Sequence, residues 1–218
     1  ARITWYPAAR PRLTLALGHG AGGGIDAPDL VALAAALPAR GVTVALVEQP
    51  WRVAGKRLAP APRTLDTAWR ALWPALADPA DGAAGFTTAG AAPPVAVGGR
   101  SAGARVACRT AAGTGAVGVL ALAFPLHPPG RPERSRAQEL AAVTEAGLPL
   151  LVVQGERDPF GRPEEFPAGI TPVPVPAADH AFAVGVRSGV DPADTAAVIT
   201  DAVGDWALAL PGAIPAAG

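Results

Sequence analysis

Apolar residues in this chain come in short dense runs, separated by stretches where they recur every three or four positions. The runs at 13–17, 42–47, 94–97, 117–123 and 148–153 are four to seven residues long, rich in Leu, Val and Ala, and bounded by Gly or Pro. Continuous apolarity over that length predicts strands covered on both faces. Between the first two, Leu30, Leu33, Ala34 and Leu37 share one helical face, and Gly41 follows as a stop. Leu65, Trp69, Leu72 and Leu76 repeat the helical spacing, with Pro74 expected to kink or shorten that helix. A further helix is predicted over 102–112. Near the end, Asp191 and Pro192 make a cap and first-turn pair. Ile199, Ala202, Val203, Trp206 and Leu210 then lie on one face. Strands alternating with helices at this spacing predict an α/β fold, a mostly parallel sheet with helices on both sides.

The segment Ile170-Thr171-Pro172-Val173-Pro174-Val175-Pro176 carries proline at every second position. Alternate residues of a strand aim their N–H groups to the same side, so one side of this segment lacks three donors. It can pair through Thr171, Val173 and Val175 only, which predicts the last, edge strand of the sheet. Three longer connections read as loops: 48–61, rich in Arg and Pro; 78–93, a Gly/Ala/Pro stretch expected to be mobile; and 124–136. With no repeat and no linker, 1–218 reads as a single domain.

Composition narrows the function classes. Lys+Arg 18 balances Asp+Glu 18, and no local basic run compensates, which argues against a nucleic-acid partner. Seventeen of those cations are arginine; with 52 alanines this is the residue usage of a GC-rich genome. Gly and Pro together make 51 of 218 residues, just under the level of low-complexity disorder, and the apolar runs indicate a folded chain. The lone Cys108 excludes an internal disulfide and a Cys-rich metal site. The first residues lack the apolar stretch of a secretory signal, and no run approaches the ~18 apolar residues of a membrane span. A soluble, cytoplasmic domain with no membrane partner is the expectation.

Four segments carry candidate chemistry. Of the three serines, Ser101 lies in Gly99-Arg100-Ser101-Ala102-Gly103, between a predicted strand and a predicted helix. This is G-x-S-x-G in the strand–turn–helix setting it requires, against roughly 0.04 matches by chance. The sharp turn forces the serine into strained torsions and brings backbone too close for side chains at the flanking positions. The bland alternative is a helix-capping serine in a glycine-rich turn. The second segment, Gly18-His19-Gly20-Ala21-Gly22-Gly23-Gly24, follows a predicted strand and offers backbone N–H groups to a reacting oxygen. Ala21 or Gly22 would supply one donor of an oxyanion hole and Ala102 the other. A phosphate cradle is the competing reading, though neither nucleotide-binding glycine pattern is present.

Third, Gln154-Gly155-Glu156-Arg157-Asp158-Pro159-Phe160-Gly161 follows the predicted strand 148–153. A carboxylate at that strand end sits where such sheets place catalytic groups; Asp158 is the choice and Glu156 the competitor. A capped surface turn is the non-catalytic alternative. Fourth, His180 follows the proline-rich segment. His19 lies inside the candidate oxyanion loop, where holding its shape is the natural role, and His127 precedes Pro128-Pro129 in a rim loop. Only His180 completes the chain order serine, acid, histidine that belongs to one fold. Three histidines in distant loops and one cysteine show no metal-ligand spacing.

Taken together these segments resemble the α/β-hydrolase fold, along nearly the whole chain. The closer likeness is to a small bacterial branch of that fold, related to dienelactone-hydrolase-like proteins. That branch shares a family with a regulatory subunit of the NSL histone-acetyltransferase complex. The likeness rests on 18–24, on Gly98-Gly99-Arg100-Ser101-Ala102-Gly103-Ala104-Arg105-Val106-Ala107, on Phe124-Pro125-Leu126-His127-Pro128-Pro129-Gly130 and on 154–161. It implies a triad of Ser101, Asp158 and His180 acting without cofactor on a small-molecule carboxylic ester, with thioesters and lactones as further candidates. The alternatives are a non-catalytic binding or scaffold domain, as in the eukaryotic relative, and an acyltransferase or peptidase using the same triad. Activity is expected to fall below about neutral pH as His180 protonates. Thirteen residues at 124–136 are too few for a lid domain, so an open site is expected, in a monomer or homodimer. Trp51, Arg52, Arg100, His127 and Arg157 are candidate substrate contacts, the charged ones hinting at an anionic substrate; ordinary solvated charges or salt bridges are the plainer reading of each.

Overall fold

Side chains alternate along the strands, and the alternation sorts the core into two layers. The computed structural model describes residues 1–79 and 92–213. Its strands are β1 (Arg2–Tyr6), β2 (Leu13–Gly18), β3 (Val42–Glu48), β4 (Val95–Arg100), β5 (Val119–Leu122), β6 (Leu150–Gly155) and β7 (Val173–Val175). They form one sheet in the order β1-β3-β2-β4-β5-β6-β7. Every neighbouring pair is parallel except β1 with β3. The helices are α1 (Pro28–Ala36), α2 (Pro50–Val53), α3 (Pro62–Arg70), α4 (Trp73–Ala77), α5 (Ala102–Thr110), α6 (Ala137–Glu145) and α7 (Pro192–Ala209).

On one face, Leu13, Leu15, Leu17, Leu120 and Leu122 pack against Leu30 and Leu33 of α1 and Ile199 and Val203 of α7. On the other, Ala16, Ala45, Val97 and Ala121 lie under Trp69 of α3, Ala104 and Ala107 of α5, and Leu140 and Val143 of α6. Small residues on that second face let α5 settle close to the sheet. A fully buried leucine contributes about 1.5–3 kcal/mol, so the leucine layer is a principal source of stability.

Several boundaries differ from the sequence reading. β1 is an additional strand. It is an antiparallel edge, exposed at Arg2 and half-buried from Ile3 to Tyr6, so its apolar pattern is weak. The helix predicted across 65–76 divides into α3 and α4, with Pro74 within the first turn of α4. The 48–61 connection contains α2. β5 covers only Val119–Leu122 of the predicted 117–123, and it stops where Ala123 leaves the extended region at φ +44°. β6 runs on through Gln154 and Gly155. The proline-rich segment keeps only three residues in strand, and β7 pairs with β6 alone at the sheet edge. Asp191 caps α7 by accepting from the Ala193 N–H at 2.8 Å. Most of the 78–93 stretch lies outside the described residues.

The parallel strands β2, β4 and β6 end at Gly18, Arg100 and Gly155. Those carboxyl ends share one edge of the sheet, and the chain leaving each carries one of the sequence motifs.

Candidate active site

Ser101 sits between the last residue of β4 and the first of α5, at φ 52° and ψ −109°. A non-glycine residue there is strained by about 1–3 kcal/mol, a cost the surrounding packing must hold. The flanking positions must be bare. A Cβ on Gly99 would lie 2.5 Å from the Gly18 carbonyl oxygen, and one on Gly103 would fall on the same peptide. The backbone of the β2 loop therefore touches the β4–α5 turn, and both glycines are steric requirements.

The Ser101 hydroxyl lies 2.9 Å from His180 Nε2. His180 Nδ1 donates to Asp158 Oδ2 at 2.7 Å. Asp158 is 1% exposed, and its carboxylate is held by two more donors. Phe160 N–H gives to Oδ1 at 2.8 Å, and Gln154 Nε2 gives to Oδ2 at 2.8 Å. The Phe160 ring lies 4.3 Å, centroid to centroid, against the imidazole. From the other side, Arg100 Nη2 donates to the His180 carbonyl at 2.9 Å. Arg100 Nε lies 3.3 Å from Asp29, whose side chain is buried at the start of α1. Burial raises the Asp29 pKa, with Arg100 pulling the other way.

A cleft of about 380 Å³ opens over this relay, lined by Gly20, Ala21, Gly22, Ser101, Ala102 and His180 together with Arg100, Arg105, Arg136, Pro125 and Phe160. Ala102 begins α5, and first-turn N–H groups have no acceptor within their helix. The three candidate oxyanion residues thus share one cleft with the serine and the histidine. His19 is fully used in shaping the loop beside them. Its Nδ1–H donates to the Gly20 carbonyl at 2.8 Å, and its Nε2 accepts from Gln49 N–H at 3.1 Å. Those two bonds specify the neutral ring, and burial lowers its pKa to match.

The other candidates lie elsewhere. Glu156 is exposed and accepts from Ala177 N–H at 2.9 Å. Of the five candidate substrate contacts, only Arg100 lines the cleft, and its guanidinium is engaged with His180 and Asp29. Trp51 is buried behind Ala21 and Ala102, beside His19. Arg52 lies over the Trp51 ring, 5.6 Å from its centroid, and Arg157 is exposed away from the cleft. His127 bonds Pro128 O at 2.9 Å and Glu165 at 2.8 Å, a structural clasp outside the cleft. The sequence reading missed Gln154, Phe160, Asp29, Arg105 and Arg136. Gln154 stands four residues before Asp158, and Arg105 lies one helical turn after Ser101, so both had a local signal. Arg136 had none.

A family model described as an alpha/beta hydrolase domain matches residues 11–208. The chain belongs to that family. Among curated proteins, none matches the sequence. Similar solved structures include an α/β serine hydrolase without a lid from Xanthomonas campestris, 20% identical, with TM-score 0.64, covering 96% of this chain and 90% of that one. A serine hydrolase homologue from Coxiella burnetii is 14% identical with TM-score 0.66, covering 92% and 90%. The esterase domain of a Rhodothermus marinus protein is 13% identical with TM-score 0.59, covering 96% and 99%. At these identities the likeness is one of fold. Among the described residues of this chain no lid is inserted between β5 and α6: β5 ends at Leu122 and α6 begins at Ala137.

Proposed function

We propose that this α/β hydrolase cleaves small carboxylic esters through a covalent acyl-enzyme. The observation that carries the reading is the relay from Ser101 Oγ through His180 to buried Asp158, at 2.9 and 2.7 Å, facing an open cleft. Ser101 Oγ forms a bond to the ester carbonyl carbon while its proton passes to His180 Nε2. The carbonyl oxygen becomes an oxyanion, for which N–H groups of Ala102 and of Ala21 or Gly22 are the donors; one such donor is worth ~3–4 kcal/mol. Collapse expels the alcohol, which takes the proton from His180. Water then repeats the sequence and releases the acid. Asp158 holds the ring in the tautomer with Nδ1–H and stabilises the imidazolium.

Two measurements test this reading. A fluorophosphonate probe should label wild type and leave Ser101→Ala unlabelled. Turnover of a short p-nitrophenyl ester should fall by about 10⁴-fold or more in the same variant. Labelling or turnover that survives the substitution would place the nucleophile elsewhere. A binding or scaffold domain would show neither in wild type.

A further inference from the structure

Among the described residues, three guanidinium groups and no carboxylate line the cleft around Ser101. Two of the three have an acid behind them. Arg100 has Asp29, and Arg105 gives Nε and Nη2 to Glu139 at 2.8 and 2.6 Å. Arg136 has none within ion-pair distance among the described residues. Glu139, whose charge also reaches Arg136, is already shared by Arg105 and Arg109. Among the described residues Arg136 spends only Nη1, on the Pro125 carbonyl at 2.7 Å. Burial, and then the neighbouring Arg105, pull its pKa down, so the site penalises this cation as it stands.

A half-buried arginine, one arm fixed and no counterion supplied, is preorganised for a planar anion that supplies the missing charge. We propose that Arg136, with Arg105 beside it, binds a carboxylate carried by the substrate, so that the preferred esters are anionic. The inference rests on the hydrolase reading and narrows its substrate class. Arg136 also closes its own loop, through its main-chain N–H to Leu126 O at 2.7 Å and through Nη1. A purely structural clasp would use those bonds and have no preference among substrates.

The test uses esters matched except for charge. One pair places the charge on the acyl side: p-nitrophenyl hemisuccinate against p-nitrophenyl butyrate. The other places it on the alcohol: 4-acetoxybenzoate against its methyl ester. Wild type should favour the anionic member of one pair by ~10–100-fold in kcat/KM, mostly through KM, as a charge-assisted contact implies. Arg136→Gln should cut that ratio at least about tenfold, while Arg136→Lys, which keeps the charge without the fork, should retain part of it. Reading the ratio cancels any loss of folded protein common to both substrates, and the Lys variant serves if Gln does not fold. No anionic preference in wild type, or an unaltered ratio in both variants, overturns the inference. Ser101-dependent turnover of the neutral esters would then leave the hydrolase reading standing. Absence of all turnover and of probe labelling would remove both together.

Discussion

Gln154 is fully buried and spends its whole amide on the site. Its Oε1 accepts from Phe124 N–H at 2.8 Å, and its Nε2 donates at 2.8 Å to both Asp158 Oδ2 and the Gly161 carbonyl. A leucine of similar shape would leave those groups buried without partners, at ~1–3 kcal/mol for each that water cannot reach. Gln154→Leu should therefore lower the urea midpoint. It should also reduce kcat/KM about tenfold at denaturant-free conditions, because the Asp158 carboxylate loses the bond that fixes its plane. Full activity in a destabilised variant would assign Gln154 to packing alone. At this scale the sequence was most readable where a residue type is sterically compelled. Gly99 and Gly103 must be bare wherever this turn forms, so the serine between them stands out. Arg136 is one of seventeen arginines; its distinction, a place in the cleft with no acid at ion-pair distance among the described residues, is a property of its neighbours after folding.

Elements are joined around the site by charge as well as by apolar contact. Arg109 of α5 pairs with Asp66 of α3 at 2.7 Å and with Glu139 of α6 at 3.2 Å, tying three helices over one face of the sheet. The clasp between His127 and Glu165 joins the loop after β5 to the 3-10 turn Pro163–Glu165. Both nitrogens of His127 face acceptors. Burial lowers its pKa, but the Pro128 carbonyl and Glu165 outweigh it, and the net shift is upward from 6.5. Glu165 is held below 4.5, first by the Arg162 N–H and, against some burial, by His127. A raised histidine stabilises fully below 6.5 and loses that contribution as pH climbs through its folded value. A lowered carboxylate stabilises above 4.5 and loses it as pH falls through its own. The clasp is thus strongest between about pH 4.5 and 6.5. Urea midpoints of wild type and His127→Asn should differ more at pH 6 than at pH 9; an equal gap at both would mean the histidine is not charged in the fold. The strands and long helices were legible because a buried element needs an unbroken apolar run or stripe. β1 and α2 were not, since a half-covered edge and a four-residue helix leave too little pattern.

For the molecule as a whole, the short connection after β5 has a kinetic consequence. Only 123–136 separate β5 from α6, and the cleft over Ser101 is open. A connection that short offers no lid for a lipid surface to open. Rate against ester concentration should follow one hyperbola through the solubility limit, whereas a jump on crossing it would reveal a gate. No helix among the described residues is long and apolar enough to cross a membrane. Residue order was enough to specify the α/β alternation, the edge position of the proline-rich strand and the strained serine turn. Each follows from local rules: the period of apolar residues, a missing N–H, a glycine with no room for a side chain. Tertiary structure alone decided that Arg100 braces His180 from Asp29, 71 positions earlier in the chain, that His127 pairs away from the cleft, and that Arg136 enters it. Such placements depend on which loops meet at the carboxyl edge of the sheet, and charge leaves no periodic trace along the chain to announce where it will meet its partner.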